Sequence, residues 1–510
     1  MLKPGKDVPS VDLNNYIIDP AILNTIPERV ARRHKIIPIF QVRDTLTVAM
    51  SNPADFIALD EAAAVSGCKI QAVKADPVEI VKAIEQYYTV SNSIDDIIKG
   101  LQAGGVTFVQ EDKLDLVRIQ RIVEEPPVIK LVNLIIAQAI KDNASDIHIE
   151  PEEEQVKVRL RIDGIMHVLA AFPRGMNLPV VPRIKVVAGL DITDHRLPQD
   201  GRFRVRIEDR EVDLRISTFP IAFGEKVVIR ILDRVSAFLS LDKLGFSAQN
   251  LQVFESLIRK PFGIILVTGP TGSGKTSTLY STLTKLNSQE KNIITLEDPR
   301  EQLLQGINQG EVDPEINFTF ASGLKAILRQ DPDIIMVGEI RDLETAQIAI
   351  RAALTGHLVF STLHTNDASG AITRLVDMGI EPFLISASVI GILAQRLVRV
   401  ICPKCKEEYS PNEEIRQSLG MDKDAKAGLF RSKGCLFCRH TGYKGRIGIF
   451  ELLVIDDPIK EMVTKKCPAA EIKQAAQANG MRTLYQDGCE KVINGITTLK
   501  EVLRVSYESD

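Results

Sequence analysis

Short apolar runs alternate with helical patterns through the second half of the chain. Between about residues 241 and 400, segments with helical periodicity separate four apolar runs, at 264–268, 293–296, 334–337 and 358–362. Continuous apolar strands that alternate with helices are typical of a parallel sheet covered on both faces. The pattern therefore predicts an α/β domain over residues 236–400.

The first half of the chain has a different pattern. A long amphipathic helix at 128–140 precedes alternating strands at 156–162, 204–207 and 212–216, which predicts an α+β (PAS-like) domain over 126–235. Residues 1–90 mix short helices and strands, with a strand at 46–50, and predict a separate N-terminal domain. The polar stretch 91–125 lacks strong periodicity and predicts a linker. After the α/β domain, we expect a cysteine-containing module over 401–445 and a helical region over 446–510.

Composition and charge narrow the classes of function. The 510 residues are 45% hydrophobic and 25% charged, which is ordinary for a globular protein of several domains. The formal charge of −4, the absence of Trp and an aromatic content of 5% argue against nucleic acid as a partner. No apolar run is long enough to span a membrane, and the first residues contain no apolar signal core. These features predict a cytoplasmic protein.

One glycine-rich segment fits the phosphate-binding pattern G-x-x-x-x-G-K-[ST]. It lies between an apolar strand and a predicted helix, and it reads Gly269, Pro270, Thr271, Gly272, Ser273, Gly274, Lys275 and Thr276. Glycines allow backbone N–H groups to surround phosphates, the lysine neutralises β- and γ-phosphate charge, and the threonine hydroxyl binds Mg²⁺. The segment therefore predicts a site for a nucleoside triphosphate with Mg²⁺.

Acidic residues end two of the predicted parallel strands. Glu339 follows the strand at 334–337, where Gly338 replaces a commonly metal-holding aspartate, and Glu297 and Asp298 follow the strand at 293–296. Ligands bind at the carboxyl edge of such sheets. One of these carboxylates would orient a water molecule and the other would hold Mg²⁺, with the assignment between Glu297 and Glu339 left open.

Two Cys-x-x-Cys pairs lie in the predicted module, and their members are Cys402, Cys405, Cys435 and Cys438. Four thiolates from two such pairs make a tetrahedral site suited to Zn²⁺. Unmetallated thiols or redox pairs are the alternative.

Several motifs together resemble one family, the type II secretion and type IV pilus assembly ATPases. They include the phosphate-binding segment, Leu-Glu-Asp-Pro at 296–299, Val-Gly-Glu-Ile-Arg-Asp at 337–342, Ser-Thr-Leu-His-Thr-Asn at 361–366 and Ala-Ser-Asp-Ile-His-Ile-Glu-Pro at 144–151. The resemblance covers nearly the whole chain. It extends to the cysteine pairs and the following Thr-Gly-Tyr-Lys-Gly-Arg at 441–446, which fit the assembly-type members.

The resemblance implies a RecA-like ATPase domain and a cytoplasmic homohexamer located peripherally at the inner membrane. The family hydrolyses ATP with Mg²⁺ at subunit clefts, and the α+β domain closes against the RecA-like domain to move a membrane platform. Pilin or pseudopilin subunits are thereby polymerised. The implied partners are inner-membrane platform and docking proteins of a secretion or pilus machine.

The resemblance also implies roles for individual residues. Lys275 and Thr276 are Walker A contacts, Glu297 belongs to the Asp box, Glu339 to Walker B, and His364, with His357 nearby, to the His box. Strand arginines of the α+β domain, Arg215 and Arg230, would clamp the γ-phosphate, and Arg329 and Arg341 are further candidates.

The sequence departs from the family at three places that bear on function. Lys325 replaces an arginine in the segment before Walker B, and Arg300 replaces an aliphatic residue in the Asp box. The third departure is Asp194-His195, where Glu-Arg is commoner.

No Arg-Leu-Gly motif precedes Ile26, so we expect residues 1–90 to dock a partner and do not expect them to bind cyclic di-GMP. A nucleic-acid translocase and a catalytically silent nucleotide-binding scaffold remain alternatives. The motifs do not distinguish among a secretion system, a pilus system and a DNA-uptake system.

Overall fold

The computed structural model describes residues 11, 13, 20–23, 25–42, 44–81, 83–84, 126–207, 210–233, 240–421 and 428–506. The predicted linker at 91–125 lies outside the described residues. The chain separates into two compact units, one formed by residues 1–235 with 433–443 and the other by 236–432 with 444–510. Among the described residues, no helix has both the length and the apolar character to cross a membrane.

The first unit begins with a small three-stranded sheet. Its elements are α1 (Pro20–Leu23), α2 (Glu28–His34), β1 (Ile36–Val42), β2 (Thr45–Met50), α3 (Phe56–Ser66) and β3 (Lys69–Lys74). β2 pairs antiparallel with β1 and parallel with β3. The Asp55 side chain accepts the N–H groups of Ile57 and Ala58 and so fixes the start of α3. The strand predicted at 46–50 is confirmed.

The same unit continues with a six-stranded antiparallel sheet and two helices. The elements are α4 (Pro126–Lys141), β4 (Asp146–Pro151), β5 (Gln155–Ile162), β6 (Ile165–Pro173), α5 (Asn177–Ala188), β7 (Gln199–Ile207), β8 (Arg210–Ile221) and β9 (Gly224–Asp233). Strand order is β6-β5-β4-β9-β8-β7. α4 buries Val128, Leu131, Val132, Ile135 and Ile136, which recur at helical spacing and form one face of the core. The predicted helix and strands of this region are confirmed, and β8 is longer than predicted.

Strand β7 is terminal in this sheet and carries a row of arginines on one face. Arg204 contacts Asp213 at 2.8 Å, and Arg206 contacts Glu211 at 2.9 Å. Arg202 shares that face because side chains alternate along a strand. The edge of the sheet is therefore lined by charge.

The second unit is built on a seven-stranded sheet. Its elements are α6 (Ala248–Ile258), β10 (Gly263–Thr268), α7 (Lys275–Leu286), β11 (Ile293–Glu297), β12 (Asn308–Glu311), α8 (Phe320–Ile327), β13 (Ile334–Val337), α9 (Leu343–Leu354), β14 (Leu358–Leu363), α10 (Ala368–Asp377), α11 (Pro382–Ser388), β15 (Val389–Ile401), β16 (Lys406–Tyr409), α12 (Glu413–Ser418), β17 (Leu429–Ser432) and β18 (Tyr443–Val454). The sheet order is β12-β11-β13-β14-β10-β15-β18, and β16 pairs with β17 separately. Four helices end the described chain: α13 (Asp457–Thr464), α14 (Ala469–Ala478), α15 (Leu484–Ile493) and α16 (Leu499–Ser506).

The central strand β10 shows why this sheet is covered on both faces. Ile264 and Leu266 belong to one buried apolar cluster, whereas Ile265 and Val267 belong to another. Successive side chains of a strand point to opposite faces, so each face of β10 supports its own core. β10 pairs parallel with β14 and β15, and the four predicted apolar strands are confirmed. The fold is the α/β class expected, with mixed helix and strand units before it.

Candidate functional site

The glycine-rich segment connects β10 to α7, as the phosphate-binding pattern requires. Gly269 has a φ of 149°, and a Cβ atom there would lie 2.6 Å from the Gln395 carbonyl oxygen. Gly274 has a φ of 91°, and its Cβ atom would lie 2.7 Å from Gln395 Nε2. Both positions therefore require glycine, because β15 approaches the back of the loop too closely for a side chain.

The two polar residues that open α7 lie at the mouth of this loop. The Lys275 ammonium group donates to the carbonyl oxygens of Gly269 at 2.8 Å and Pro270 at 3.2 Å. Burial lowers the pKa of Lys275 below its ordinary value. The Thr276 hydroxyl donates to Glu301 Oε1 at 3.2 Å. A cation and the hydroxyl that is predicted to bind Mg²⁺ thus lie at the start of a helix whose N-terminus favours anions.

Glu339 lies just beyond β13, between a histidine and an arginine. His364 Nε2 is 3.2 Å from Glu339 Oε2, and Arg341 forms an ion pair with Glu339 Oε1. Arg341 also lies 3.7 Å from Asp298. The side-chain pairing with Glu339 raises the pKa of Arg341. The structure therefore brings Glu339 and His364 together, as expected of residues that follow adjacent parallel strands.

Glu297 ends β11, but its carboxylate is turned into the protein. It is 4% exposed. It accepts hydrogen bonds from the Tyr280 hydroxyl, from Thr295 Oγ1 at 2.7 Å and from Gln309 Nε2 at 3.0 Å. Three donors therefore occupy the carboxylate, and its catalytic role stays a prediction.

Glu301 is a candidate site residue that the sequence reasoning did not single out. It belongs to the loop between β11 and β12, and its carboxylate accepts the hydroxyl of Thr276. A carboxylate beside the threonine that is predicted to bind Mg²⁺ is an oxygen ligand of the type magnesium prefers. The available signal was its position two residues after Asp-Pro in the segment Glu-Asp-Pro-Arg-Glu.

The two histidines of the predicted His box lie at opposite ends of β14. His364 follows the strand and contacts Glu339, whereas His357 precedes it. His357 Nδ1 is 2.8 Å from the carbonyl oxygen of Ala352, at the end of α9. A strand of this length spans about 20 Å, so His357 is not near His364.

Of the two further candidates, Arg341 contacts Glu339 as described, whereas Arg329 has a different partner. The two basic residues that depart from the family pattern also have contacts elsewhere. Lys325 pairs with Glu344 at 2.5 Å, and Arg329 donates to the Lys325 carbonyl oxygen at 2.9 Å. Arg300 Nη1 is 3.5 Å from the carbonyl oxygen of Gln309.

Arg215 and Arg230 lie in the first unit, on β8 and β9. They are direct cross-strand partners in the antiparallel sheet. Arg230 also donates to Asp146 Oδ1 at 3.1 Å while most of its side chain stays exposed. Two neighbouring guanidinium groups on one sheet face have the planar donor geometry that suits a phosphate. Their predicted contact with the nucleotide stays a prediction.

The four paired cysteines come together in one cluster. The sulfur atoms of Cys402, Cys405, Cys435 and Cys438 all lie within 4.8 Å of one another. Cys435 Sγ and Cys438 Sγ are 3.8 Å apart, and the Cys435 N–H points at Cys438 Sγ. Tetrahedral zinc with thiolate ligands places sulfur atoms about 3.8 Å apart. The cluster is therefore compatible with Zn²⁺.

We expect replacement of Cys438 by serine to remove the metal. Wild-type protein should contain about one zinc ion per chain, and Cys438→Ser should contain almost none, with a lower melting temperature. Elemental analysis of the dialysed full chain measures the first change, and thermal denaturation measures the second. Cys467→Ser is the matched control, because Cys467 lies outside the cluster. Zinc retained at full occupancy in Cys438→Ser would contradict the assignment.

Comparisons with known proteins agree with this geometry. The family described as Type II/IV secretion system protein matches residues 122–504, and the MshEN domain matches residues 7–93. The chain is 44% identical over 501 residues to the type IV pilus assembly ATPase PilB of Myxococcus xanthus, covering 97% of this chain and 88% of that protein.

Two further relatives extend the comparison. The type II secretion system protein E of Pseudomonas aeruginosa is 52% identical over 385 residues, covering 76% of each chain. Among solved structures, the pilus retraction motor PilT with bound ADP superposes with a TM-score of 0.51 at 29% identity, covering 73% of this chain and 96% of that one. With a phosphate-binding loop, paired acids and a cysteine cluster on the same chain, this protein belongs to the Type II/IV secretion system protein family.

Proposed function

We propose that this chain is the ATP-hydrolysing motor of a type II secretion or type IV pilus machine. The observation that carries the proposal is the convergence of acidic groups beside the phosphate-binding loop. Glu301 contacts the hydroxyl of Thr276. Glu339 and His364 contact each other just after β13 and β14, two parallel strands that end at the same edge of the sheet. Such an arrangement supports phosphoryl transfer to water, in which positioning and charge stabilisation supply the catalysis.

The residues divide the chemistry as follows. Lys275 and the backbone N–H groups of the phosphate-binding loop would hold the phosphates of ATP, and the Thr276 hydroxyl would bind Mg²⁺. Glu301 would help to hold the metal. Glu339 orients the attacking water, and His364 fixes the orientation of the Glu339 carboxylate. Glu297 acts indirectly, because its oxygens are already occupied.

The proposal also gives a role to two arginines of the first unit. Arg215 and Arg230 offer guanidinium groups that would bind the γ-phosphate in the closed state of a homohexamer. Hydrolysis would then change the relative position of the two units and move a membrane platform, so that pilin or pseudopilin subunits are polymerised. In this proposal the hexamer works at the cytoplasmic side of the inner membrane, and the MshEN domain docks a membrane-bound partner.

A dilution series of the purified full chain tests the proposal. We expect Mg²⁺-dependent phosphate release whose specific activity rises as the hexamer forms, because neighbouring subunits complete the site. Size-exclusion chromatography with light scattering gives the assembly state at each concentration. Equal specific activity in monomer and hexamer would contradict the completion of the site by neighbours. The absence of phosphate release in every assembly state would overturn the motor function. Stimulation by DNA with steep salt dependence would instead support a nucleic-acid translocase.

A further inference from the structure

Tyr280 is a buried phenol on α7, one helical turn after Thr276, and it is 1% exposed. Its hydroxyl donates to Glu297 Oε2. The Tyr280 hydroxyl oxygen in turn accepts the backbone N–H of Glu301 at 3.3 Å and also that of Gln302. One side-chain atom thus joins the helix of the phosphate-binding loop, the end of β11 and the loop that carries Glu301.

The direction of these hydrogen bonds follows from the groups involved. The Tyr280 hydroxyl donates to a carboxylate oxygen of Glu297, so the lone pairs of the phenol oxygen are left to accept the two loop amides. Thr295 and Gln309 hold the other oxygen of Glu297, which fixes the carboxylate as the acceptor. Burial, and after it the negative charge of Glu297, raises the pKa of Tyr280, so the phenol keeps its proton.

The loop is fixed from a second side by β12. Gln309 Nε2 donates to the carbonyl oxygen of Gln302 at 2.9 Å, and Gln309 Oε1 accepts the N–H of Leu304 at 2.6 Å. Tyr280 connects the backbone of the loop to α7, in addition to the contact between Thr276 and the Glu301 side chain. Thr276 and Tyr280 lie on one face of that helix, because residues one turn apart are neighbours. The hydroxyl of Thr276 meets the Glu301 side chain while the hydroxyl of Tyr280 meets the Glu301 backbone.

We propose that Tyr280 is a positioning residue for ATP hydrolysis, which sets the distance between the Glu301 carboxylate and the Mg²⁺-binding hydroxyl of Thr276. In this arrangement Glu297 is the anchor of the Tyr280 hydroxyl. The inference rests on the proposed function for its catalytic consequence. Its structural part, the attachment of the loop to α7, stands on the hydrogen bonds alone.

The first test is the kinetics of Tyr280→Phe in the full chain. The substitution keeps the ring in the core and removes only the hydroxyl. We expect kcat to fall about 10-fold to 100-fold because a displaced catalytic group costs rate steeply. The KM for MgATP should stay unchanged, since the phosphate-binding loop is intact. Tyr485→Phe is the matched control, because the Tyr485 hydroxyl contacts the Ser418 carbonyl oxygen at 2.8 Å, outside this network. A wild-type kcat in Tyr280→Phe would overturn the inference.

A second variant separates positioning from general destabilisation. Glu301→Gln removes the carboxylate that Tyr280 is proposed to place, so adding Tyr280→Phe should cause little further loss of kcat. A purely structural effect of Tyr280 would instead multiply the two losses, and that result would overturn the inference. Melting temperature and assembly state of each variant show that the kinetic comparison concerns folded protein.

Hydrogen exchange supplies a readout that does not depend on hydrolysis. In Tyr280→Phe, the amides of residues 301 and 302 should exchange faster than in the wild type, while amides of β10 should not change. Unaltered exchange at 301 and 302 would overturn the inference.

The two proposals can fail separately. A wild-type chain without ATPase activity would overturn the motor function. An active wild type together with a Tyr280→Phe variant of equal kcat would overturn only the positioning role.

Discussion

Replacing Lys275 with alanine is expected to lower ATP hydrolysis by about 1,000-fold or more. The ammonium group lies at the mouth of the phosphate-binding loop, where it would neutralise charge that develops on the transferred phosphoryl group. Nucleotide affinity should fall as well, because the β- and γ-phosphates lose their cation. Phosphate release and binding of a fluorescent ATP analogue measure the two effects.

The matched control for Lys275→Ala is Lys285→Ala on the same helix. Lys285 lies at the far end of α7, is partly exposed and forms an ion pair with Glu255. Exposed ion pairs contribute little to stability, so Lys285→Ala should hydrolyse ATP at the wild-type rate. Retention of more than a small part of the activity in Lys275→Ala would show that this lysine does not contact the reacting phosphates.

The second large effect is expected for Glu339→Gln. The glutamine keeps the shape of the side chain but cannot accept a proton or carry charge, so we expect kcat to fall about 100-fold to 1,000-fold. Binding of MgATP should persist, because Lys275 and the loop backbone are unchanged. Single-turnover kinetics with a separate nucleotide-binding measurement distinguish these two quantities.

Glu344→Gln is a suitable comparison for Glu339→Gln. Glu344 begins α9, is largely exposed and pairs with Lys325. It lies on the helix that follows the acid and does not contact His364. If Glu339→Gln hydrolysed ATP as fast as Glu344→Gln, the chain would be the catalytically silent scaffold that the sequence left as an alternative.

The parallel sheet and its phosphate-binding loop could be predicted because the signals are local. Each of the four strands is buried on both faces, so most of its residues are apolar and the run stands out from the neighbouring helices. The loop is equally visible, since Gly269 and Gly274 stand where β15 excludes any side chain. Close packing thus leaves a readable pattern in the sequence.

The choice among the acids could not be made from the motif alone. Glu297 and Thr295 share one face of β11 because strand side chains alternate, and that face is buried. Because both faces of β11 are covered, alternation alone did not indicate that the Glu297 side chain is buried. Glu301 reaches Thr276 through an irregular loop held by Tyr280 and Gln309. Such tertiary contacts lie outside the periodicity of a sequence.

The positions of the two histidines also could not be predicted from their spacing in the sequence. His357 and His364 are close in sequence, but an extended strand separates them, and only His364 reaches the carboxyl edge of the sheet. The pairing of Arg215 with Arg230 is a different case, because β8 and β9 form one hairpin and the turn between them fixes the register of the two strands. Their proximity therefore follows from a local feature of the chain.

The arginine row on β7 also affects how copies of this chain can meet. An unpaired strand offers its amide and carbonyl groups to any extended segment, and fibrous aggregates grow by that route. A second molecule that added a strand beside β7 would place its side chains next to the exposed arginines and their acidic partners on β8. Charged side chains along an edge strand disfavour such open-ended pairing.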